Sequence, residues 1–251
     1  MKSLIGTYIR YLNIERNASE HTITSYQNDL NTFLSYLAEE AQTNEDQIRM
    51  EDVNRLRIRL WLGYLTEQGY SKSSLARKVA AIRSFFKFCY KRGHIDKNPT
   101  HLLVVPKKDK MLPKTVNVED LKRMMDLVDL QHPMGRQHKA ILELFYSTGI
   151  RLSELVTLNT DQVNLEQKQI KVLGKGNKQR IVPIGGQALT ALNDHFETRP
   201  QLFGKRTDAD ARKAVFLATG GQRIYSRAVQ RLVEDYLKRT SEVTQKSPHV
   251  L

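Results

Sequence analysis

An arginine and a group of lysines in the second half of the chain have the types and spacing needed to bind phosphate. Arg151 lies two residues after Gly149, at which an apolar helix is predicted to end. Downstream, thirteen residues without an acid contain five cations: Lys168, Lys171, Lys175, Lys178 and Arg180. Guanidinium and ammonium groups both pair with phosphate oxygens, and the planar guanidinium pairs with two at once. The pattern predicts a phosphate site that combines Arg151 with this basic segment.

The corner that holds Arg151 is predicted from its neighbours on both sides. Residues 138–148 have the apolar spacing of a helix, and Gly149 supplies the permissive backbone that a helix C-terminus favours. Ser153 is a capping residue type, so it is predicted to cap a short helical turn over residues 153–158. Arg151 is therefore expected on a tight corner between two helical segments.

A β-hairpin is predicted to carry the lysines. Residues 169–173 and 179–184 are short runs rich in β-branched residues, and residues 174–178 separate them. The glycines and the asparagine of that connection accept the positive φ angles of tight hairpin turns. Lys175 and Lys178 are then at the tip of the hairpin.

The rest of the chain is predicted to be mainly helical, so the expected fold class is mainly α with a small antiparallel β-sheet. Apolar residues recur at helical spacing in seven further segments, at residues 2–12, 19–37, 53–68, 71–89, 117–128, 187–196 and 226–238. One more strand is predicted over residues 215–218. Prolines without apolar periodicity indicate a linker, which gives a helical domain at 1–95, a basic linker at 96–116 and a second domain at 117–251.

Composition limits the class of partner and the compartment. The formal charge of +13 and the pI near 9.8 favour a polyanion, with nucleic acid as the first interpretation and an anionic membrane surface as the alternative. The single cysteine excludes an internal disulfide, and the seven histidines show no metal-ligand spacing. No signal peptide and no membrane-spanning apolar run is present, so the protein is expected to be soluble and cytoplasmic.

The positive charge is concentrated in particular segments. Residues 1–52 hold four cations and nine acids, whereas residues 53–110 hold fourteen cations and three acids. We predict that the fourth helix contacts DNA through Ser73, Arg77, Arg83, Lys87 and Lys91. Further DNA contacts are predicted in the linker, on the hairpin and as one stripe on the last helix: Lys107, Lys108, Lys178, Arg180, Arg223, Arg227 and Arg231. A solvated helix face is the alternative explanation for each basic helix.

Two motifs together resemble the tyrosine recombinase, or phage integrase, family. The first is Thr-Gly-Ile-Arg-Leu-Ser-Glu-Leu around Arg151, and the second is Gly-Lys-Gly-Asn-Lys-Gln-Arg-Ile-Val-Pro, which contains Lys175. His249, in Ser-Pro-His-Val-Leu, matches the first residue of the family's His-x-x-Arg motif. The two-part layout extends the resemblance over essentially the whole chain, and the chain is most similar to Xer-type members. The resemblance implies an N-terminal SAM-like core-binding domain and a C-terminal α+β catalytic domain.

The same resemblance implies the chemistry and the partners. A tyrosine hydroxyl attacks a DNA phosphodiester to give a 3′-phosphotyrosyl link, without ATP, metal or other cofactor. Arg151 would stabilise the charge on the phosphate oxygens, Lys175 would protonate the leaving 5′-oxygen, and His249 would assist at the phosphate. Glu154 would support Arg151 or cap its helix. Members of the family act as tetramers on two duplex DNA sites, which implies a homo- or hetero-tetramer, a second recombinase and a DNA translocase as partners.

The family pattern continues beyond the residues present here. After the position of Leu251 it has an arginine, then a histidine or tryptophan, and then the tyrosine nucleophile. Tyr225 and Tyr236 precede His249, whereas the family nucleophile follows it. The chain is therefore predicted not to cleave DNA by itself, whether it is a fragment of a longer protein or a natural truncation.

Alternative functions assign other roles to the same basic segments. A nucleotide-binding enzyme would use residues 174–178 as a phosphate loop, but the spacing of a P-loop is absent and a strand follows instead of a helix. A non-catalytic accessory protein would occupy recombination sites without cleaving them. Within the family, chromosome-dimer resolution and integration of a mobile element both fit the sequence.

Overall fold

The protein is mainly helical with one small antiparallel sheet, which confirms the predicted fold class. A computed structural model describes residues 1–103, 116–174, 179–240 and 248. The chain divides into two compact units, Met1–Met111 and Leu112–Leu251. The predicted limits of 1–95, 96–116 and 117–251 stay predictions, although Leu103 is buried in the N-terminal core. None of the helices in the described ranges is long and apolar enough to cross a membrane.

In its described residues the N-terminal unit has four α-helices: α1 (Lys2–Ile14), α2 (Glu20–Glu40), α3 (Arg55–Glu67) and α4 (Lys72–Lys91). Side chains of Ser19, Asn54 and Ser71 cap α2, α3 and α4 by accepting a backbone N–H of the first turn. The core between the helices is aromatic, and its largest fully buried side chains are Trp61, Tyr8, Phe33, Phe85 and Phe86. All four helices were predicted, because their apolar residues keep the helical period.

A buried ion pair joins α2 to α4. Lys78 Nζ lies 3.0 Å from Asp29 Oδ1, and both residues are almost fully buried. Arg77 also donates to the Asp29 carboxylate, while the Lys78 ammonium lies 5.7 Å from the centre of the Trp61 ring. The sequence contains a signal for this pair that the charge analysis missed, since Asp29 and Lys78 both occupy positions on the apolar faces of their helices.

In its described residues the C-terminal unit has six α-helices and three strands, with one large core and a small second cluster at α9. Asn117 caps α5 (Val118–Asp126) as predicted, and α6 (Pro133–Thr148) packs against α8 (Gly186–Thr198). The other helices are α7 (Leu152–Thr157), α9 (Ala209–Lys213) and α10 (Ser226–Thr240). The sheet has the order β1 (Val163–Asn164), β2 (Gln169–Leu173) and β3 (Gln179–Pro183), with antiparallel pairing throughout. The hairpin and the helices around it were predicted, whereas β1 and α9 were not.

The predicted strand over residues 215–218 is wrong. Residues 215–217 are buried, but the chain bends at Val215 and Phe216, and Leu217 forms only an isolated bridge with Arg223. Side chains replace a neighbouring strand here, because Gln137 bonds both the N–H and the carbonyl of Leu217. The guanidinium of Arg199 donates to several carbonyls nearby, among them that of Val215. The apolar pattern therefore reported burial correctly but not strand pairing.

One buried and one half-buried histidine give the C-terminal unit an acid-sensitive stability. Burial lowers the pKa of His195 and of His138 to about 4, against about 6.5 in an unfolded chain. Between these values the unfolded chain binds protons that the folded chain does not. The stabilisation is therefore complete above pH 6.5 and is lost as the pH falls towards 4, which costs about 2 kcal/mol per histidine at pH 5. Hydrogen exchange of α8 peptides at pH 7 and pH 5, corrected for intrinsic rates, measures this loss.

The variant His195→Leu separates this effect from general acid sensitivity. With the titrating ring removed, the stability difference between pH 7 and pH 5 should shrink by about 2 kcal/mol in the C-terminal unit. If the difference in stability between pH 7 and pH 5 does not change, the ring of His195 is not the cause of the lower stability at acid pH.

Candidate active site

The corner before α7 is held by the conformation and hydrogen bond of Gly149 and by the burial of Ile150. Gly149 adopts the left-handed conformation, with φ 58° and ψ 26°, and its N–H donates to the Phe145 carbonyl at 2.9 Å. Ile150 follows and is buried, so the chain cannot swing outward there. Arg151 is then the extended residue from which α7 begins. The predicted corner at Arg151 is present in the described structure.

The residue predicted to cap this short helix, Ser153, is the wrong one. Helix α7 starts at Leu152, so Ser153 lies inside it and Arg151 occupies the N-cap position. Glu154 stabilises the start by accepting the backbone N–H of Arg151 at 2.8 Å. A glutamate three residues into a helix commonly reaches back in this way, which the sequence Arg-Leu-Ser-Glu already indicated.

Glu154 is the centre of the site. Its side chain is only 2% exposed, yet it accepts three further hydrogen bonds from two guanidinium groups. Arg151 Nη1 donates to Oε1 at 3.0 Å, and Arg180 donates from Nη1 and Nη2 at 2.6 and 2.8 Å. Burial alone would raise the pKa of this carboxyl, but the hydrogen bonds from Arg180 and Arg151 outweigh burial and lower the pKa. Glu154 is therefore ionised at neutral pH.

Arg151 keeps most of its guanidinium available. The side chain is 64% exposed, and within the described part of the chain its recorded hydrogen bond is the one from Nη1 to Glu154. A guanidinium has five N–H donors in a planar fork, so the opposite edge of Arg151 faces outward with its donors free for an anion. The carboxylate thus holds one side of the group and fixes the direction of the other.

Arg180 does not have the free guanidinium expected of a DNA contact. It lies on β3 opposite Val172 of β2, on the face of the sheet that also carries the buried Ile170. Both terminal nitrogens of Arg180 bind Glu154, which raises the pKa of Arg180. The sequence analysis placed this residue at the phosphate because it counted charge without the register of the hairpin.

Several predicted site residues lie outside the described residues, namely Lys107, Lys108, Lys175, Lys178 and His249. The residues on either side of the hairpin connection, Gly174 and Gln179, are described and belong to or adjoin the paired strands. That Lys175 and Arg151 meet at one phosphate therefore stays a prediction.

The basic stripe predicted on the last helix is shorter than expected. Helix α10 begins at Ser226, so Arg223 is not part of it. The Arg223 guanidinium binds the carboxylate of Asp210 at 2.7 Å and the side-chain oxygen of Asn159 at 2.6 Å. Arg227 and Arg231 remain as two exposed cations one turn apart. Arg223 has a structural role, because it ties α9 to the loop after α7.

The residues predicted to contact DNA on α4 fall into two groups: some are exposed, and others bind groups within the protein. Ser73, Lys87 and Lys91 are exposed. Arg77 is also exposed, but its guanidinium donates to Asp29, and the half-buried Arg83 donates to the carbonyl of Leu103. Of the cations predicted to contact DNA on this helix, Lys87 and Lys91 are thus the two that are exposed without an ion pair among the described residues.

Two family models match the chain, one in each unit. Residues 114–251 match the phage integrase family, and residues 5–93 match the N-terminal SAM-like domain of phage integrases. Tyrosine recombinase XerC of Natranaerobius thermophilus is 35% identical over 252 residues, covering 100% of this chain and 83% of the relative. Tyrosine recombinase XerD of Staphylococcus aureus is 34% identical over 252 residues, covering 100% and 82%.

Solved structures share the fold at lower identity. The XerH recombinase bound to a palindromic difH substrate has a TM-score of 0.72 at 17% identity, with 94% of this chain and 67% of that chain covered. The Tn1549 transposon integrase in complex with a circular intermediate DNA has a TM-score of 0.73 at 16% identity, with 98% and 83% covered. The fold is thus shared with the XerH recombinase and the Tn1549 integrase. The chain belongs to the phage integrase family of tyrosine-type site-specific DNA recombinases.

Proposed function

We propose that this protein carries out site-specific recombination by binding duplex DNA and activating one phosphodiester for attack by a tyrosine. The observation that carries the proposal is the outward-facing Arg151 guanidinium, which the buried carboxylate of Glu154 holds on a rigid corner. A permanently charged planar donor in a fixed direction suits the non-bridging oxygens of a phosphate, on which charge accumulates in the transition state. The function is supported further by the Xer-type relatives.

The proposed reaction needs no change in oxidation state and no external energy. The tyrosine oxygen forms a bond to phosphorus as the bond to the 5′-oxygen breaks, which leaves a 3′-phosphotyrosyl link and a 5′-hydroxyl. Lys175 gives its proton to the departing 5′-oxygen, and His249 assists at the phosphate or with the proton of the tyrosine. A second strand's 5′-hydroxyl then reverses the step. The nucleophile is assigned to a tyrosine that follows His249 in the family pattern.

DNA binding is proposed for exposed residues of both units, namely Ser73, Lys87 and Lys91 on α4 and Arg227 and Arg231 on α10. The sequence adds Lys107, Lys108 and Lys178, which lie outside the described residues. Each phosphate contact releases condensed counterions, so binding should weaken steeply with salt. The XerH structure is bound to its difH substrate and the Tn1549 integrase structure is a complex with DNA, which supports this part of the proposal.

The proposed assembly is a tetramer on two DNA sites in the cytoplasm, formed from one or two kinds of recombinase. Relatives named XerC and XerD both match the chain at similar identity, which supports a partnership of two recombinases without assigning this chain to either. A DNA translocase that regulates the assembly, and a role in resolving chromosome dimers before cell division or in integration, belong to the same proposal.

A nicked suicide duplex tests the function directly. The full-length product of the reading frame is mixed with duplexes selected from a random pool by binding to this chain, each nicked near the expected cleavage point. Loss of the short released strand prevents religation, so a covalent protein–DNA adduct should accumulate without added metal or ATP. Salt-dependent binding without any adduct would instead identify a DNA-binding accessory protein, and saturable ATP binding would favour a nucleotide-binding enzyme.

A further inference from the structure

Two arginines share one buried carboxylate in the site. Glu154 carries one negative charge, whereas Arg151 and Arg180 carry two positive charges, so the cluster has one positive charge in excess. We propose that Arg180 is a positioning residue, which neutralises Glu154 so that Arg151 keeps its charge and its free donors for a DNA phosphate. This inference rests on the function proposed above and adds to it a residue that acts through Glu154.

The division of hydrogen bonds shows which arginine is the main counterion of Glu154. Arg180 places a two-pronged pair on both carboxylate oxygens, at 2.6 and 2.8 Å. Arg151 gives the same carboxylate one side-chain hydrogen bond, at 3.0 Å, from Nη1 alone. Bidentate guanidinium–carboxylate pairs are the stronger and more directional kind. Glu154 is thus neutralised mainly by Arg180, and its contact with Arg151 serves to orient that side chain.

The sheet fixes Arg180 in this role. Residues directly opposite in an antiparallel pair share a face, and Arg180 is opposite Val172, whose side chain is buried. The guanidinium therefore extends from the inner face of β3 to Glu154, whose side chain is 2% exposed. Glu154 is the buried member of this pair, whereas the Arg180 side chain is 40% exposed. A buried carboxylate needs a cation beside it, since burying an unpaired charge is costly, and Arg180 supplies that cation.

Loss of Arg180 would redirect Arg151. Glu154 would remain buried and ionised, with Arg151 as its remaining guanidinium partner among the described contacts of that carboxylate. The fork of Arg151 would then turn to bind both oxygens, which would cancel its charge and use two of the donors intended for the phosphate. An arginine that merely contacted DNA would have no such effect on Arg151.

Chemical labelling of Arg151 tests this directly on the chain of 251 residues, without DNA or a nucleophile. An arginine-selective dicarbonyl reagent modifies free guanidinium groups, and peptide mass spectrometry gives the rate at Arg151 relative to the exposed Arg206 in the same sample. In Arg180→Gln the relative rate at Arg151 should fall about fivefold, as expected for a modest gain in pairing. In the double variant Arg180→Gln, Glu154→Gln it should return to the wild-type rate or above.

The direction of the change in the labelling rate of Arg151 distinguishes a positioning role of Arg180 from a general loss of structure. A variant that loosens the fold would expose Arg151 and raise its labelling, so an increase in Arg180→Gln overturns the proposal. An unchanged rate overturns it as well. Arg180→Lys keeps a cation beside Glu154 and should retain more Arg151 labelling than Arg180→Gln. Because this assay does not depend on cleavage, it stands even if the recombination proposal fails.

Cleavage provides the second measurement. With the full-length product on the nicked duplex, Arg180→Gln should slow adduct formation about 10-fold to 100-fold while the dissociation constant for DNA changes less than about threefold. Adding Glu154→Gln should restore part of the lost rate, since the charge that captures Arg151 is removed. Equal losses of affinity and rate, without rescue by Glu154→Gln, would make Arg180 a DNA contact and contradict the proposal. A wild-type protein that never forms an adduct would instead contradict the proposed function.

Discussion

Replacing Arg151 by alanine is expected to lower the rate of covalent DNA cleavage by about 10³-fold, while binding to the duplex changes little. The guanidinium edge opposite Glu154 is the part of the described site that faces outward with free donors. Its interaction strengthens as charge develops on the phosphate oxygens, so its loss acts on the transition state more than on the bound ground state. Duplex affinity depends on many phosphate contacts, and one lost contact weakens it only slightly.

Single-turnover trapping on the nicked duplex measures the rate, and fluorescence anisotropy of labelled duplex measures the affinity. Arg151→Lys keeps the charge but not the planar fork, so its rate should lie between those of the alanine variant and the wild type. Arg206→Ala removes an exposed arginine from the same unit and serves as the matched control, with an unchanged rate. If Arg151→Ala and Arg206→Ala cleave equally well, Arg151 is not the group that stabilises the phosphate.

The second large effect is expected in the N-terminal core. Asp29→Ala should destabilise that unit by about 3–5 kcal/mol, because it leaves the Lys78 ammonium buried beside the Trp61 ring without a carboxylate. Replacing both partners, as in Asp29→Leu with Lys78→Met, should instead be neutral within about 1 kcal/mol or stabilising, since no unpaired charge remains. The pair therefore specifies how α2 meets α4 more than it adds net stability.

Urea denaturation followed by tryptophan fluorescence measures both variants in the whole chain. Trp61 is the single tryptophan and is fully buried in the N-terminal core, so its emission reports that unit. Asp46→Ala is the control, because Asp46 pairs with Lys2 at an exposed position and should cost less than about 1 kcal/mol. A double variant as unstable as Asp29→Ala would show that the lost stability comes from packing and not from the unpaired charge.

Much of the fold was predictable because local signals agreed with one another. Asn117 caps α5, and Gly149 ends α6 in the left-handed conformation, as their residue types indicate. The hairpin was predictable from two β-branched runs separated by glycine and asparagine. These features depend on residues only a few positions apart, so the sequence alone contains the signals for them.

Two of the errors share one cause, since each concerned a side chain whose partner is distant in sequence. Arg223 was assigned to a helical stripe by spacing, but it binds Asp210 and Asn159. The buried segment over residues 215–218 was expected to pair as a strand, yet the side chain of Gln137 bonds its backbone. The number and spacing of charged or apolar residues do not show which groups pair with each other, because the packing of the folded chain selects the partner.

The sequence by itself determined the family motifs, the order of the helices, the hairpin and the corner that presents Arg151. Only the tertiary structure decided that Arg180 joins Glu154 from 26 residues away, and that Lys78 joins Asp29 from 49 residues away. The physical reason is the different range of the forces involved. Capping and turn preferences act along the backbone, whereas a charge removed from water must find whichever opposite charge the packed core brings beside it.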